Sequence, residues 1–288
     1  MSPNLKYNST YSLKIPSIEK RIEYREYTVG EEKEIVMIDA EESQSKKFYK
    51  IKNLVKRCLL TEIDFEKISP SEILFIFINM RIKSVGDENY TSVPCPKCYE
   101  LLKDDLSIID QLENLKSNET DTNALFALNK QIASINDSIR TQYEKSQNDV
   151  LVNLEKVKII ENKEHKKLIK LNDTLSVDMK YGINTTDALE KDIDLNSKTD
   201  EEIIAIQSDN DIELLARCID TIYDGEETIS GLTLSEKVNI LKDMPSKYRK
   251  KLEVFLETQP KVEYKDTVKC KTCSNEFEFT LNSINDFF

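Results

Sequence analysis

The 288-residue chain has one histidine, five glycines and no tryptophan. The shortages of histidine and of glycine each close off a class of function. With His165 alone, a histidine-based triad, an acid–base histidine pair or a His-rich metal centre cannot be assembled. His165 lies in the charged stretch 161–167 and is expected to be exposed. The glycines, at 30, 86, 182, 225 and 231, are scattered, so no P-loop or G-x-G-x-x-G phosphate cradle can be built from them. No apolar run approaches the roughly 18 residues of a membrane-spanning helix. The first six residues carry no apolar signal core, so the chain is expected to stay in the cytoplasm where it is made. Positive charge is also short. Lys and Arg total 41 against 53 Asp and Glu, a net charge of −12. A duplex-binding surface needs clustered Lys and Arg to neutralise phosphates. The basic runs here, Lys166-Lys167 with Lys170 and Lys247-Tyr248-Arg249-Lys250-Lys251, are short and read as solvated faces, which disfavours nucleic-acid binding. Carboxylates are abundant, yet none is marked out as an acid–base pair, and no enzyme activity is expected.

What is present is a pair of matching motifs far apart. Cys95-Pro96-Lys97-Cys98 and Cys270-Lys271-Thr272-Cys273 are both C-x-x-C. Such a loop places two thiolates on one side of a tight turn, and two loops facing each other make a four-thiolate site that suits Zn²⁺. Extended segments flank each motif, with Val93 leading into the first and Glu276 to Leu281 alternating out of the second. That pattern predicts a zinc ribbon, two hairpins clasped at their turns, with Cys95, Cys98, Cys270 and Cys273 on one structural zinc. Two C-x-x-C motifs without a βαβ pattern argue against a redox dithiol. Disulfides fit poorly with a chain lacking a signal peptide. Cys58 and Cys218 lie alone in helical patterns and read as buried thiols. Zinc knuckles often carry Gly after the second Cys. Tyr99 and Ser274 stand there instead, which points to Asn275 as the left-handed residue of the second turn.

Local signals lay out the rest. Residues 1–20 read as an extended arm, and Arg21 to Tyr27 alternates as a strand. Thr28 with Glu31 forms a capping box, and a second helix runs from Gln44 to Leu60. Ser69-Pro70-Ser71-Glu72 combines an N-cap, Pro at the first helical position and Glu at the third. The helix that follows is apolar nearly all round, so it is central, and Gly86 stands where a C′ glycine belongs. Residues 113–150 turn polar, with Leu125, Leu128, Ile132, Ile135 and Ile139 forming a narrow seam suited to packing on the body or on a partner chain. Val157 to Ile160 and Leu168 to Tyr181 read as strands, with Asn172-Asp173 as a turn. A short helix begins at Thr185 and a longer one at Thr199, reaching Cys218 and Ile222. Asp224-Gly225 is a turn, Thr233 with Glu236 caps a helix, and Pro245 opens another that Pro260 ends. The terminal Phe287-Phe288 must be docked in a pocket or join an interface.

Three stretches carry a resemblance. They are Ile22 to Arg25 with Tyr27 to Lys33; Ile63-Asp64 through Ile82-Lys83-Ser84-Val85-Gly86 to the first C-x-x-C; and Cys218 to Gly225 through Phe255 to Pro260, the second C-x-x-C and Asp286-Phe287-Phe288. In combination they resemble the baseplate hub subunit and hub assembly proteins of T-even-type phages. Residues 113–150 stand outside the resemblance as an insertion. The resemblance implies a viral tail-morphogenesis protein without enzyme activity that binds other hub proteins. It would work in the host bacterial cytoplasm during assembly, and its final place would be the virion or, for a chaperone, outside it.

The resulting expectation is an α+β protein. Residues 1–27 form an arm and strand, 28–86 and 199–260 a helical body, 88–107 and 261–281 the ribbon, 113–150 a helical insertion, and 151–198 small strands and a short helix. The candidate partner-binding residues are Phe287, Phe288, Leu125, Leu128, Ile132, Ile135 and Ile139. A zinc-ribbon nucleic-acid-binding or transcription protein is the rival reading, which a DNA-shift assay near physiological salt would discriminate.

Overall fold

The computed structural model describes residues 9–18, 20–39, 44–100, 102–117, 122–181 and 211–287. The helices expected at Thr185 and from Thr199 to 210 lie outside the described residues, as does Phe288. The chain is mixed α and β and divides into two compact units.

The first unit takes the described residues up to Asp87, Glu155–Glu263 and Asn282–Asn285. Strands β1 (Thr10–Leu13) and β2 (Ile22–Arg25) pair antiparallel. Helix α1 (Val29–Asp39) starts at the Thr28–Glu31 box, where the Glu31 carboxylate accepts the Thr28 N–H at 2.8 Å. Arg25 holds the same carboxylate in a two-pronged bond, at 2.8 and 2.9 Å, and lowers its pKa to about 2. Helix α2 (Gln44–Cys58) buries Ile51, Leu54, Val55 and Cys58 along one stripe.

Helix α3 (Pro70–Ser84) is the centre of this core, with Ile73, Ile76, Phe77, Ile78 and Met80 without exposure. Its capping box is complete, and Glu72 is fully buried. The Glu72 carboxylate accepts the N–H groups of Ser69 and Ser17, each at 2.6 Å. A buried carboxylate is tolerable there because the helix N-terminus supplies positive potential and donors. The helix stops at Val85, and Gly86 takes φ 128°, a conformation that side-chain-bearing residues avoid.

A four-stranded sheet has the order β6 (Leu168–Lys170), β7 (Leu175–Met179), β8 (Ile219–Asp224) and β9 (Glu227–Ile229). The Asn172 side chain makes the β6–β7 turn by accepting the N–H groups of Thr174 and Leu175. The helix expected to reach Ile222 ends at 218 (α7, residues 211–218) and the chain continues as β8. The run Ile219-Asp220-Thr221-Ile222-Tyr223 is β-branched and aromatic. With Asp224-Gly225 as a hairpin turn, Gly225 at φ 59°, strand pairing prevails over the helical spacing of the apolar residues. Helices α8 (Leu234–Asp243), opened by a complete Thr233–Glu236 box, and α9 (Ser246–Glu257) follow. Strand β5 (Lys158–Ile160) pairs with the first residues of β10 (Lys261–Lys269).

His165 is not exposed as expected. Its ring packs 4.9 Å from Phe255 and 5.8 Å from Tyr181, with Nδ1 3.0 Å from Thr258 Oγ1 and Nε2 2.9 Å from the Tyr181 hydroxyl. Tyr181 and Phe255, remote in sequence, build an aromatic cluster around it, and Lys167 places its ammonium 4.9 Å from the centre of the Tyr181 ring.

The second unit takes the described residues of 88–154, 264–281 and 286–287. Strand β3 (Glu88–Pro94) pairs with β4 (Gln147–Asn153) over seven residues, from Glu88↔Asn153 to Pro94↔Gln147. Between them run α4 (Pro96–Glu100), α5 (Leu102–Ser117) and α6 (Thr122–Ser146), with α5 packed on α6. The insertion expected over 113–150 therefore ends as helix at Ser146, and its last residues are sheet. On α6, Ile132 is buried and Leu125, Leu128, Ile135 and Ile139 are half-buried. Most other described side chains of α6 are exposed. Strand β11 (Glu276–Leu281) pairs with the remainder of β10, from Tyr264↔Leu281 to Lys269↔Glu276. Phe287 is fully buried, a packing position. Among the described residues, no helix is long and apolar enough to cross a membrane.

Candidate metal centre

The centre is assembled in the second unit from two different local structures. Strand β3 delivers Cys95 at its end. Pro96 then opens α4, with the Tyr99 N–H bonded to the Cys95 carbonyl at 2.9 Å. Proline suits a first helical position because its missing N–H would have no helical partner there. Cys98 is thus presented by a helix, not by the tip of a hairpin. The expectation of two clasped hairpins is corrected on this side. Pro96 carried the signal, since a proline directly after a strand residue is also a helix start.

The second motif does sit at a hairpin tip, between β10 and β11. The Cys270 N–H bonds the Asn275 carbonyl at 2.8 Å, and the Ser274 N–H bonds the Cys270 carbonyl at 3.0 Å. The left-handed residue is Ser274, at φ 59°, not Asn275. A non-glycine there carries a steric cost, which the two closing hydrogen bonds offset.

The four sulfurs converge. All lie within 4.8 Å of one another. Cys95 Sγ is 3.7 Å from Cys273 Sγ, and Cys98 Sγ is 3.8 Å from Cys270 Sγ. A tetrahedron with metal–sulfur bonds of about 2.3 Å has edges of about 3.8 Å, so these separations fit a thiolate-bound ion. All four cysteines are free thiols. Cys95 and Cys270 are buried, Cys98 and Cys273 partly exposed.

The thiols are electrostatically unequal. The backbone N–H groups of Cys273 and Thr272 lower the pKa of Cys270; the Thr272 donor lies 3.4 Å from the sulfur. Burial, followed by the hydrogen bonds of the neighbouring sulfurs, raises that of Cys98. Four thiolates this close repel one another unless a cation stands among them, so metal binding would release protons.

A polar clamp that the sequence did not disclose holds the two motifs in register. Asn148, 3% exposed, accepts the Lys271 N–H through Oδ1 at 2.9 Å and donates through Nδ2 to the Ser146 carbonyl at 2.8 Å. The Ser146 carbonyl also accepts the Cys95 N–H at 2.9 Å. Thr272 Oγ1 donates to the Lys145 carbonyl at 2.5 Å. Residues 145–148 thus touch the backbone of both motifs. Nothing in the run Lys145-Ser146-Gln147-Asn148 marks it, because its partners, mostly backbone atoms, are distant in sequence.

Fold and site together define an α+β protein with a four-cysteine centre of tetrahedral spacing. The chain belongs to the family described as T4 bacteriophage base plate protein, whose sequence model matches residues 8–288. It is therefore a phage tail baseplate protein, with association among baseplate proteins as its setting. No curated protein and no solved structure matches it.

Proposed function

We propose that the chain is a non-catalytic hub subunit or hub assembly factor of the baseplate, with one structural Zn²⁺ held by Cys95, Cys98, Cys270 and Cys273. The observation that carries this reading is the convergence of four sulfurs at tetrahedral edge distances in a baseplate-family chain. Four protein ligands close the coordination shell and leave no position for a reactive water, so the ion's role is to hold the unit together. The resemblance at Lys83-Ser84-Val85-Gly86, Ile222-Tyr223-Asp224-Gly225 and Asp286-Phe287-Phe288 supports the hub in particular.

The test has two arms. Metal analysis of the full-length protein, purified reduced and without chelator, should find one zinc per chain; a content far below one sinks the zinc assignment. A phage lacking this gene, supplied with the Cys95→Ser/Cys270→Ser chain, should fail to build its baseplate hub. Full complementation by that variant defeats the structural-zinc account of function.

A further inference from the structure

We propose that the groove between β6 and α9, in the first unit, binds an extended acidic segment of another baseplate protein as an added strand. The inference deepens the partner-binding reading, and it uses residues that reading leaves idle.

β6 is the terminal strand of its sheet among the described residues. Its hydrogen-bonding direction follows from the register. The Met179 N–H bonds the Lys167 carbonyl and the Leu171 N–H bonds the Leu175 carbonyl, both at 2.9 Å. In an antiparallel pair, alternate residues face the partner strand, so 167, 169 and 171 point to β7. The backbone groups of Leu168 and Lys170 therefore point outward, toward the open edge. An exposed edge of this kind is a template for another strand.

A cavity of about 340 Å³ lies off that edge. Leu168, Ile169 and Lys170 all line it, although their side chains alternate between the two sheet faces. That places the cavity beside the strand rather than above it. The opposite wall is α9, through Lys251, Val254 and Phe255, with Thr258 just past its end. Spacings of three and four make this a single helical face. Leu168 is 49% exposed and Val254 43% exposed, two large apolar side chains in the same groove. The floor is rigid, since Phe255 is pinned by the rings of His165 and Tyr181. A strand edge facing a helix across an apolar cavity suits an extended chain: main-chain bonds go to one wall, alternate side chains to the other.

Charge selects the occupant. Lys166, Lys170 and Lys251 line the groove against one acid, Glu164, in a chain of net charge −12. The Lys166 and Lys170 ammoniums have no hydrogen bond or ion pair among the described residues. Lys251 donates to the Lys170 and Leu171 carbonyls and spans the groove at that end, so the incoming strand enters from the Leu168 side. The fitting segment alternates apolar residues with Asp or Glu.

Short synthetic peptides tiling the other baseplate proteins of the same phage, hub and non-hub alike, are titrated against the full-length chain by fluorescence anisotropy. An alternating acidic peptide should bind. N-methylating alternate amides in one register should abolish binding, and in the other register should leave it nearly unchanged. Lys166→Glu with Lys170→Glu should weaken binding at least about tenfold at unchanged Tm. Equal loss in both N-methyl registers, or indifference to charge reversal, overturns strand addition. Absence of any binding peptide overturns the groove as a site and leaves the hub assignment standing. A binder from outside the hub supports the groove and defeats the hub assignment.

Discussion

The two units bury different kinds of residue. In the first, α3 alone buries Ile73, Ile76, Phe77, Ile78 and Met80 completely, and Ile51, Leu54 and Val55 of α2 are as deeply buried. In the second, the buried apolar residues are fewer and smaller, and two of them are Cys95 and Cys270 themselves. Small units bury too little surface to hold a fold on area alone, and a metal commonly makes up the difference. With the proposed zinc in place, one chain would fix one unit by apolar area and another by a ligand cluster. Each should then fail under a different insult.

The largest effect is expected from metal removal. Structural zinc supplies on the order of 10 kcal/mol in small peptides, comparable to the roughly 5–15 kcal/mol of a whole domain. Chelation of the zinc-loaded protein should release the amides of β3, β4 and β11 to rapid hydrogen exchange while those of α3 stay protected. Equal loss in both regions would erase the distinction.

The converse insult is Phe77→Ala. Truncating a fully buried Phe costs about 3–5 kcal/mol. The expected outcome is a lower Tm with exposed α3 amides and zinc content still one per chain. Zinc lost in step with α3 protection would show that the second unit leans on the first.

A smaller effect sharpens the second unit. Asn148→Leu leaves the Lys271 N–H without its acceptor and takes one of two donors from the Ser146 carbonyl, a cost of about 1–3 kcal/mol for a buried polar group left unpaired. Zinc transfer to a competing chelator should speed up, with α3 untouched. An unchanged transfer rate would reduce the clamp to incidental contact.

The smallest effect belongs to pH. Burial, aided by Lys167 and opposed by Glu72, holds His165 below its ordinary value. Thr258 Oγ1 donates to the Val254 carbonyl at 2.6 Å, so it must accept from His165 Nδ1–H. With the ring neutral, as burial favours, Nε2 accepts from the Tyr181 hydroxyl. The unfolded chain binds the proton more readily, so stability present above about pH 6.5 falls as pH drops through that value toward the folded pKa. Exchange protection of α9 should show the slope, and His165→Gln should flatten it. A slope that survives the substitution belongs to another group.

Much of this was legible in the residues, where local chemistry decides. Ser69-Pro70-Ser71-Glu72, Thr28 with Glu31 and Thr233 with Glu236 each start a helix where their capping chemistry requires. The cysteine spacing located the four thiols because a tetrahedral site constrains residue type and separation. What could not be read depended on distant partners. Ile219 to Tyr223 has both helical and strand spacing, and only pairing with β7 and β9 decides between them. His165 has charged neighbours in sequence and aromatic ones in space. Asn148 recognises backbone, which has no sequence signature.

The register of β3 with β4 has a mechanical side. Pro94 faces Gln147, so the helices α4 to α6 leave and re-enter the sheet at a single pair of facing residues. Chain beyond such a neck can lengthen or shorten by whole helical turns without disturbing the strands below. Closure entropy grows only slowly with the length enclosed, about 0.6 kcal/mol per doubling. The same neck lies one residue from Cys95 and four from Cys98, with Ser146 and Asn148 on its other side. A load pulling the tips of α5 and α6 would therefore reach the sheet at the thiol cluster, where the proposed zinc would be the rivet at the foot of a cantilever.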